Sequence, residues 1–119
     1  MNANDKTLCT IRGEKPDRMP VIPLIIQHAL HITGIPHSAY SRNPVKMAET
    51  QLFALAEYRV DGLHITTDNQ VISEAMGCRI HFPYDEPPQY AALVLAEDKK
   101  HSRLKAINPA ADDRMPVLG

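Results

Sequence analysis

The sequence has no long apolar run: its longest, residues 21–30, is interrupted by Pro23, Gln27 and His28. That is well short of the ~20 residues a membrane-crossing helix requires, so no spanning helix is read anywhere in the chain. The first six residues are polar and carry no apolar stretch of the kind a secretory signal needs, which makes a cytosolic setting the expectation. Cysteine is scarce. Cys9 and Cys78 are the only two and lie far apart, so a disulfide framework is excluded as the basis of the fold, and both thiols are expected to be free in a reducing compartment. Charge of one sign is also missing: 13 basic against 14 acidic residues leave a formal charge of -1, which provides no broad attraction to nucleic acid or to an anionic membrane. Internal repeats and low-complexity tracts are absent, which excludes solenoids and propellers.

What remains is ordinary globular material. The 119 residues, 44% hydrophobic and 23% charged, suit one compact domain. Residues 7–12 predict a short helix, with Leu8 and Ile11 on one face and Gly13 as its stop. After a polar turn, Val21, Ile22, Pro23, Leu24, Ile25 and Ile26 form a continuous apolar stretch, read as a first strand buried on both faces of a parallel sheet. Pro23 places that strand at an edge or a barrel mouth, because proline donates nothing to a ladder. Asn43 and Pro44 supply a cap and a first-turn proline. They open an amphipathic helix to about Tyr58, with Met47, Leu52, Leu55 and Tyr58 on its packing side. Asp61 and Gly62 break it, and residues 63–67 read as a second strand ending before Asp68. Strand, helix, strand is the order of a right-handed crossover with parallel strands. A short helix at residues 70–76 with Gly77 after it, a brief strand at 79–82, a loop enforced by Pro83, Pro87 and Pro88, and a helix at about 97–107 complete the reading.

Two stretches carry a resemblance. The run Arg12, Gly13, Glu14, Lys15, Pro16, Asp17, Arg18, Met19, Pro20, Val21 resembles the opening of the uroporphyrinogen decarboxylase superfamily, where a short helix leads through a turn into barrel strand one. Arg42, Asn43 and Pro44, the helix that follows, the segment from Asp61 to Asp68, and Glu74, Ala75, Met76, Gly77 and Cys78 match the same family without gaps. The resemblance implies an α/β fold, the N-terminal portion of a (β/α)8 TIM barrel with about two barrel strands and flanking helices. Such barrels need eight strands and typically ~250 residues. Residues 1–119 are therefore expected to be one segment of a single barrel domain, incomplete as a barrel and inactive in isolation.

The resemblance also assigns chemistry. Asp68 matches the aspartate that faces the pyrrole NH groups in the decarboxylases and stabilises a protonated intermediate, a role that needs an ionised carboxylate beside a forming cation. The rival reading of Asp68 is a cap for the helix that starts near Gln70. Gln27 and His28, at the expected top of strand one, are read as substrate-binding. The family's arginine pair after strand one, which binds substrate carboxylates, is replaced here by Ile25 and Ala29. The run Glu74 to Cys78 is closer to the related cobamide-dependent methyltransferases, which move a methyl group between a corrinoid and a thiol or other acceptor. In those a zinc ion activates the thiol, through ligands expected in a later part of the chain.

No cofactor is therefore assigned to these 119 residues, with zinc and a corrinoid substrate expected only for the parent enzyme. The parent's substrate would be a small tetrapyrrole or a corrinoid protein. No metal site is assigned, since His28, His31 and His37 have only loosely metal-like spacing. Cys78 is read as a small buried residue, His64 as a layer residue, and Tyr84, Asp85 and Glu86 as a solvated tip. The leading reading is a segment of a corrinoid-linked methyltransferase, the alternative a uroporphyrinogen decarboxylase. A rival of another class is a stand-alone interaction module, and in either case two unpaired sheet edges predict self-association.

Overall fold

The computed structural model describes residues 1–65, 68–96 and 100–112. Three helices make the core. Helix α1 spans Ala3–Ile11, α2 Ile26–Thr33, α3 His37–Tyr40 and α4 Pro44–Tyr58, and it is α2, α3 and α4 that pack together. Helix α4 has the bounds its caps predict. The Asn43 side chain accepts from the amides of Val45 at 2.9 Å and Lys46 at 3.1 Å, which satisfies two of the orphan donors at the helix start. Helix α1 begins earlier than the apolar spacing indicates, because Asn2 caps it by accepting from the Asp5 amide at 2.8 Å.

Leu30, Tyr40 and Met47 form the core cluster, with Ile26 and Ile35 packed against it. The buried row of α4 is Met47, Thr50, Gln51 and Ala54, spaced by three and four residues as one helix face requires. Leu52 and Tyr58, expected on that face, are exposed. Polar residues replace them inside because their bonds are met: the Thr50 hydroxyl donates to the Lys46 carbonyl at 2.8 Å, and Gln51 Nε2 donates to the Tyr40 hydroxyl at 2.7 Å.

Helix α2 takes the place of the end of the expected first strand. Ile26 is its first residue, and Gly34, in the left-handed conformation at φ 69°, closes it by donating to the Leu30 carbonyl. Glycine adopts that backbone at little cost. Residues 21–25 and 61–65 form neither helix nor strand, and no ladder joins them. They nevertheless lie side by side. The Asp61 amide donates to the Val21 carbonyl at 2.8 Å, and a Cβ on Gly62 would meet the Ile22 side chain at 3.2 Å. Residue 21 beside 61 and 22 beside 62 advance in one sense, as parallel strands do. Pro23 lacks the N–H that would carry the ladder on. The expected strand residues Thr66 and Thr67 lie outside the described residues.

Helix α5, Val71–Ala75, precedes Gly77 at φ 109°. The sheet among the described residues is an antiparallel hairpin of β1, Arg79–His81, and β2, Gln89–Ala92, with Ile80 opposite Tyr90, His81 opposite Gln89 and an irregularity beside Arg79. The proline-rich stretch is thus a hairpin loop, and β2 is an element the sequence reading did not resolve. The helix expected at 97–107 is not formed in its described part: Lys100 and Leu104 are extended, with a single 3-10 turn at His101–Arg103 between them. Residues 97–99 lie outside the described residues. No helix among the described residues is long and apolar enough to cross a membrane.

One carboxylate ties these two segments together. Arg18 grips Asp61 with both guanidinium nitrogens, Nη1 to Oδ2 at 2.6 Å and Nη2 to Oδ1 at 2.9 Å. The Val21 amide donates to Oδ2 at 2.9 Å, and Lys6 Nζ lies 3.7 Å from Oδ1. The Asp61 side chain is only 4% exposed. The Arg18 bond, followed by that of the Val21 amide, holds its carboxyl below the ordinary value of 3.8. Ionised Asp61 thus favours the folded state. That contribution is fully present above the unfolded-state value of about 3.9 and is lost as pH falls through the lower folded value.

Two outcomes follow. The gap in melting temperature between the parent and Asp61→Asn should be constant from about pH 7 to pH 5 and should narrow below about pH 4; a gap independent of pH in thermal melts would contradict the role of Asp61. Tyr40→Phe should cost about 1 to 3 kcal/mol in urea unfolding, since it strands the buried Gln51 amide.

Candidate functional site

The ends of segments 21–25 and 61–65 open on one pair of adjoining clefts. A cavity of about 620 Å³ is lined by residues including Gln27, Leu30, His31, His37, Tyr84 and Asp85. A second, of about 240 Å³, is lined by Leu24, Ile26, Gln27, His37, Asp68, Asn69, Gln70 and two prolines. Gln27, His37 and Pro87 line both, so the two clefts adjoin along these residues and are called together the recess.

Each lining residue is placed by a local cause. Gln27 stands in the first turn of α2, directly after the first segment. His37 opens α3 after Pro36, whose extended backbone at ψ 149° sets the helix start. Burial pushes the His37 imidazole below the usual histidine value, opposed in part by the charge of Asp85. Asp68 follows the second segment, and its Oδ1 accepts from the Gln70 amide at 2.9 Å. Asp68 thus holds the turn before α5, whose N-cap is Gln70 rather than Asp68, and it lines the smaller cleft. Its negative charge also reaches the buried Tyr40, whose hydroxyl is pushed above its usual value mainly by burial.

The other site expectations separate. Gln27 lies in the recess, whereas His28 lines neither cleft and instead has Nε2 2.6 Å from the Tyr58 hydroxyl, with the two rings 5.4 Å apart. The helical turn between adjacent residues explains this: Gln27 and His28 differ by about 100° around α2. His31 and His37 share the larger cleft without His28. Among the described residues no three His, Cys, Asp or Glu side chains are gathered to hold a metal ion, so the donor set for a zinc-activated thiol is not found in them. Cys78 is half-buried and free, and His64 is exposed.

The loop carrying Tyr84, Asp85 and Glu86 is more than a tip. The Tyr84 side chain is 73% exposed, yet its carbonyl accepts from the Ser38 amide at 3.3 Å, and Arg42 stacks over Phe82 at 5.4 Å. The loop is thereby laid against α3 and forms one wall of the recess. Sequence reading missed Asp85, Asn69 and Gln70 as lining residues, because no pattern in the chain indicates that the loop folds back.

The family model described as uroporphyrinogen decarboxylase (URO-D) matches residues 2–119. A uroporphyrinogen decarboxylase from Dichelobacter nodosus (strain VCS1703A) is 28% identical over 137 aligned residues, covering 98% of this chain and 40% of the relative. Among solved structures, a methyltransferase from Methanosarcina mazei superposes with a TM-score of 0.74 at 21% identity, covering 98% of this chain and 36% of that one. The chain thus spans well under half the length of either. The open, mixed helix and hairpin architecture is a partial (β/α) barrel.

Asp68→Ala should lower stability by about 1 kcal/mol through loss of the turn bond, while Asp68→Asn should keep most of it. Equal losses in urea melts of the two variants would show that the bond to Gln70 contributes nothing.

Proposed function

This chain belongs to the uroporphyrinogen decarboxylase family, and we propose that it supplies the strand-one and strand-two side of a corrinoid-linked methyltransferase active site. The observation that supports this most is the charge of the recess. Its lining contains Asp68 and Asp85 but no lysine or arginine. A porphyrinogen bears multiple carboxylates, for which arginine is the natural bidentate partner. At the positions where the resemblance implies arginines stand Ile25 and Ala29, and Ala29 is wholly buried against the core. A polycarboxylate entering this recess would meet two carboxylates and no fixed cation. A methyl-transfer substrate is not penalised in that way.

In the proposed reaction the corrinoid supplies the methyl group, and this chain's residues bind and orient. Asp68 presents a fixed negative charge where positive charge develops, held in place by its bond to Gln70. Gln27 offers an amide donor and acceptor shared by both clefts. His37, kept below its usual value by burial, offers a neutral ring nitrogen at neutral pH. Cys9 and Cys78 as free thiols suit a cytosolic setting. The alternative, decarboxylation in tetrapyrrole biosynthesis, is favoured by the similarity to the Dichelobacter relative and by the presence of Asp68. The missing cations weigh against it.

The test is equilibrium binding of methylcobalamin and of uroporphyrinogen to the chain, with thiol methylation and carbon dioxide release measured alongside. The expected result is a preference for the corrinoid, no turnover of either compound, and binding at least about tenfold weaker, roughly 1.4 kcal/mol, in Asp68→Asn. Tighter binding of uroporphyrinogen, or carbon dioxide released from it, would overturn the methyltransferase reading in favour of the decarboxylase. Unchanged corrinoid binding in Asp68→Asn would leave Asp68 as a cap alone.

A further inference from the structure

The larger cleft has all its walls from this chain: α2, the turn at residues 34–36, the start of α3 and the hairpin loop. Its volume of about 620 Å³ suits a small organic molecule, since ligand pockets commonly run from ~300 to ~1,000 Å³.

The loop brings an aromatic ring that packing does not use. Tyr84 lines this cleft and is nevertheless 73% exposed. Slack backbone is not the cause. The Tyr84 carbonyl accepts from the Ser38 amide at 3.3 Å and from the Ser38 hydroxyl at 3.4 Å. Two residues earlier the Phe82 ring lies under the Arg42 guanidinium at 5.4 Å, and Pro83, Pro87 and Pro88 each fix a backbone torsion. A tyrosine has only two side-chain torsions, so a ligand laid on this ring orders little. Asp85, the next residue, lines the same cleft, and its charge is felt at His37 on α3.

An aromatic face beside a carboxylate is the arrangement that holds an organic cation. The ring attracts positive charge over its face within about 6 Å, and the carboxylate supplies the opposite charge. No lysine or arginine is among the described lining residues, and Arg42 is placed over Phe82 instead. A bare metal ion fits less well, because no three His, Cys, Asp or Glu side chains are gathered among the described residues. A primary ammonium brings three N–H donors that each need an acceptor. A fully methylated ammonium has none, and its methyl groups find apolar surface at Leu30, Ile35 and Pro36.

We propose that the larger cleft binds a small organic cation with a methylated ammonium head, over the Tyr84 ring and beside the Asp85 carboxylate. The inference rests on the reading of the recess as the ligand site and adds the charge and shape of what enters it.

NMR titration of the full chain with choline and with 3,3-dimethyl-1-butanol, its neutral isostere, tests this at about pH 8, above the ordinary histidine range. The variants are Tyr84→Phe, Tyr84→Ala and Asp85→Asn; both positions are exposed, and circular dichroism checks that each variant keeps the fold. Choline should bind at least about tenfold more tightly than the alcohol, with Tyr84→Phe close to the parent and Tyr84→Ala and Asp85→Asn each weaker by about fivefold or more. Raising salt from about 0.05 to 0.5 M should weaken choline and leave the alcohol unchanged. Choline that fails to bind, that binds no more tightly than the alcohol, or that binds Tyr84→Ala and Asp85→Asn as it binds the parent overturns the proposal. The methyltransferase reading fails separately: methylcobalamin bound without choline removes the cation site alone, and choline bound without methylcobalamin supports the cation site and removes that reading alone.

Discussion

The Asp61 carboxylate is the constraint on which the architecture rests. It takes two bonds from Arg18 and one from the Val21 amide, while its own amide bonds the Val21 carbonyl. Both backbone polar groups of Val21 are thus satisfied by a residue 40 positions away. Bidentate, charge-assisted bonds of this kind fix orientation as well as distance. The site inherits that orientation. Gln27 lies six residues beyond Val21, and Asp68 seven beyond Asp61, so fixing 21 against 61 brings the ends of both segments to the same side of the molecule. Ile22 is packed closely on Gly62, so a larger residue there would require the Ile22 side chain to shift by a few tenths of an ångström.

Elements whose stabilising groups are local in sequence were legible, and those whose partners are distant were not. Helix α4 carries its own cap in Asn43 and its own first-turn proline, so its bounds follow from the residues that form it. The Arg18 and Asp61 motifs were each visible as part of the family resemblance, but no spacing rule indicates that they grip each other. Helix α2 was hidden because Ile26, Ala29 and Leu30 prolong an apolar run that reads equally as a strand. Gly34, its stop, was the available signal. At residues 100–107 basic residues suited a helix dipole, yet dipole complementarity contributes only fractions of a kcal/mol near a helix end. It does not fold a helix without a buried face, and the residues at 100–103 are all exposed.

In the recess, Asp68 was singled out because it follows an expected barrel strand and matches the family's aspartate, with a helix cap as the rival reading. His37 and Asp85 became site residues only when the hairpin loop folded onto α3, a contact made through the Tyr84 carbonyl and therefore invisible in side-chain identity. The loop matters electrostatically as well. It brings a second carboxylate to a recess that already holds Asp68, and its charge works against the burial that lowers His37. The recess is thus acidic by construction, from two elements widely separated in sequence.

The core and the recess differ in how far this chain alone completes them. Leu30, Tyr40 and Met47, from α2, α3 and α4, are buried, with Ile26 and the loop residue Ile35 packed against them. Segments 21–25 and 61–65 have no such layer on their outer side: Val21, Leu24 and Ile65 are each more than half exposed. A barrel strand gains its stability from neighbours on both edges, and here one edge of each segment meets the other through a single backbone bond. The same incompleteness that prevents a ladder leaves Leu24 at once on the apolar face and on the rim of the Asp68 cleft. Whatever covers the face therefore also shapes the cleft, and the affinity of the recess for a ligand is coupled to that covering contact by mass action.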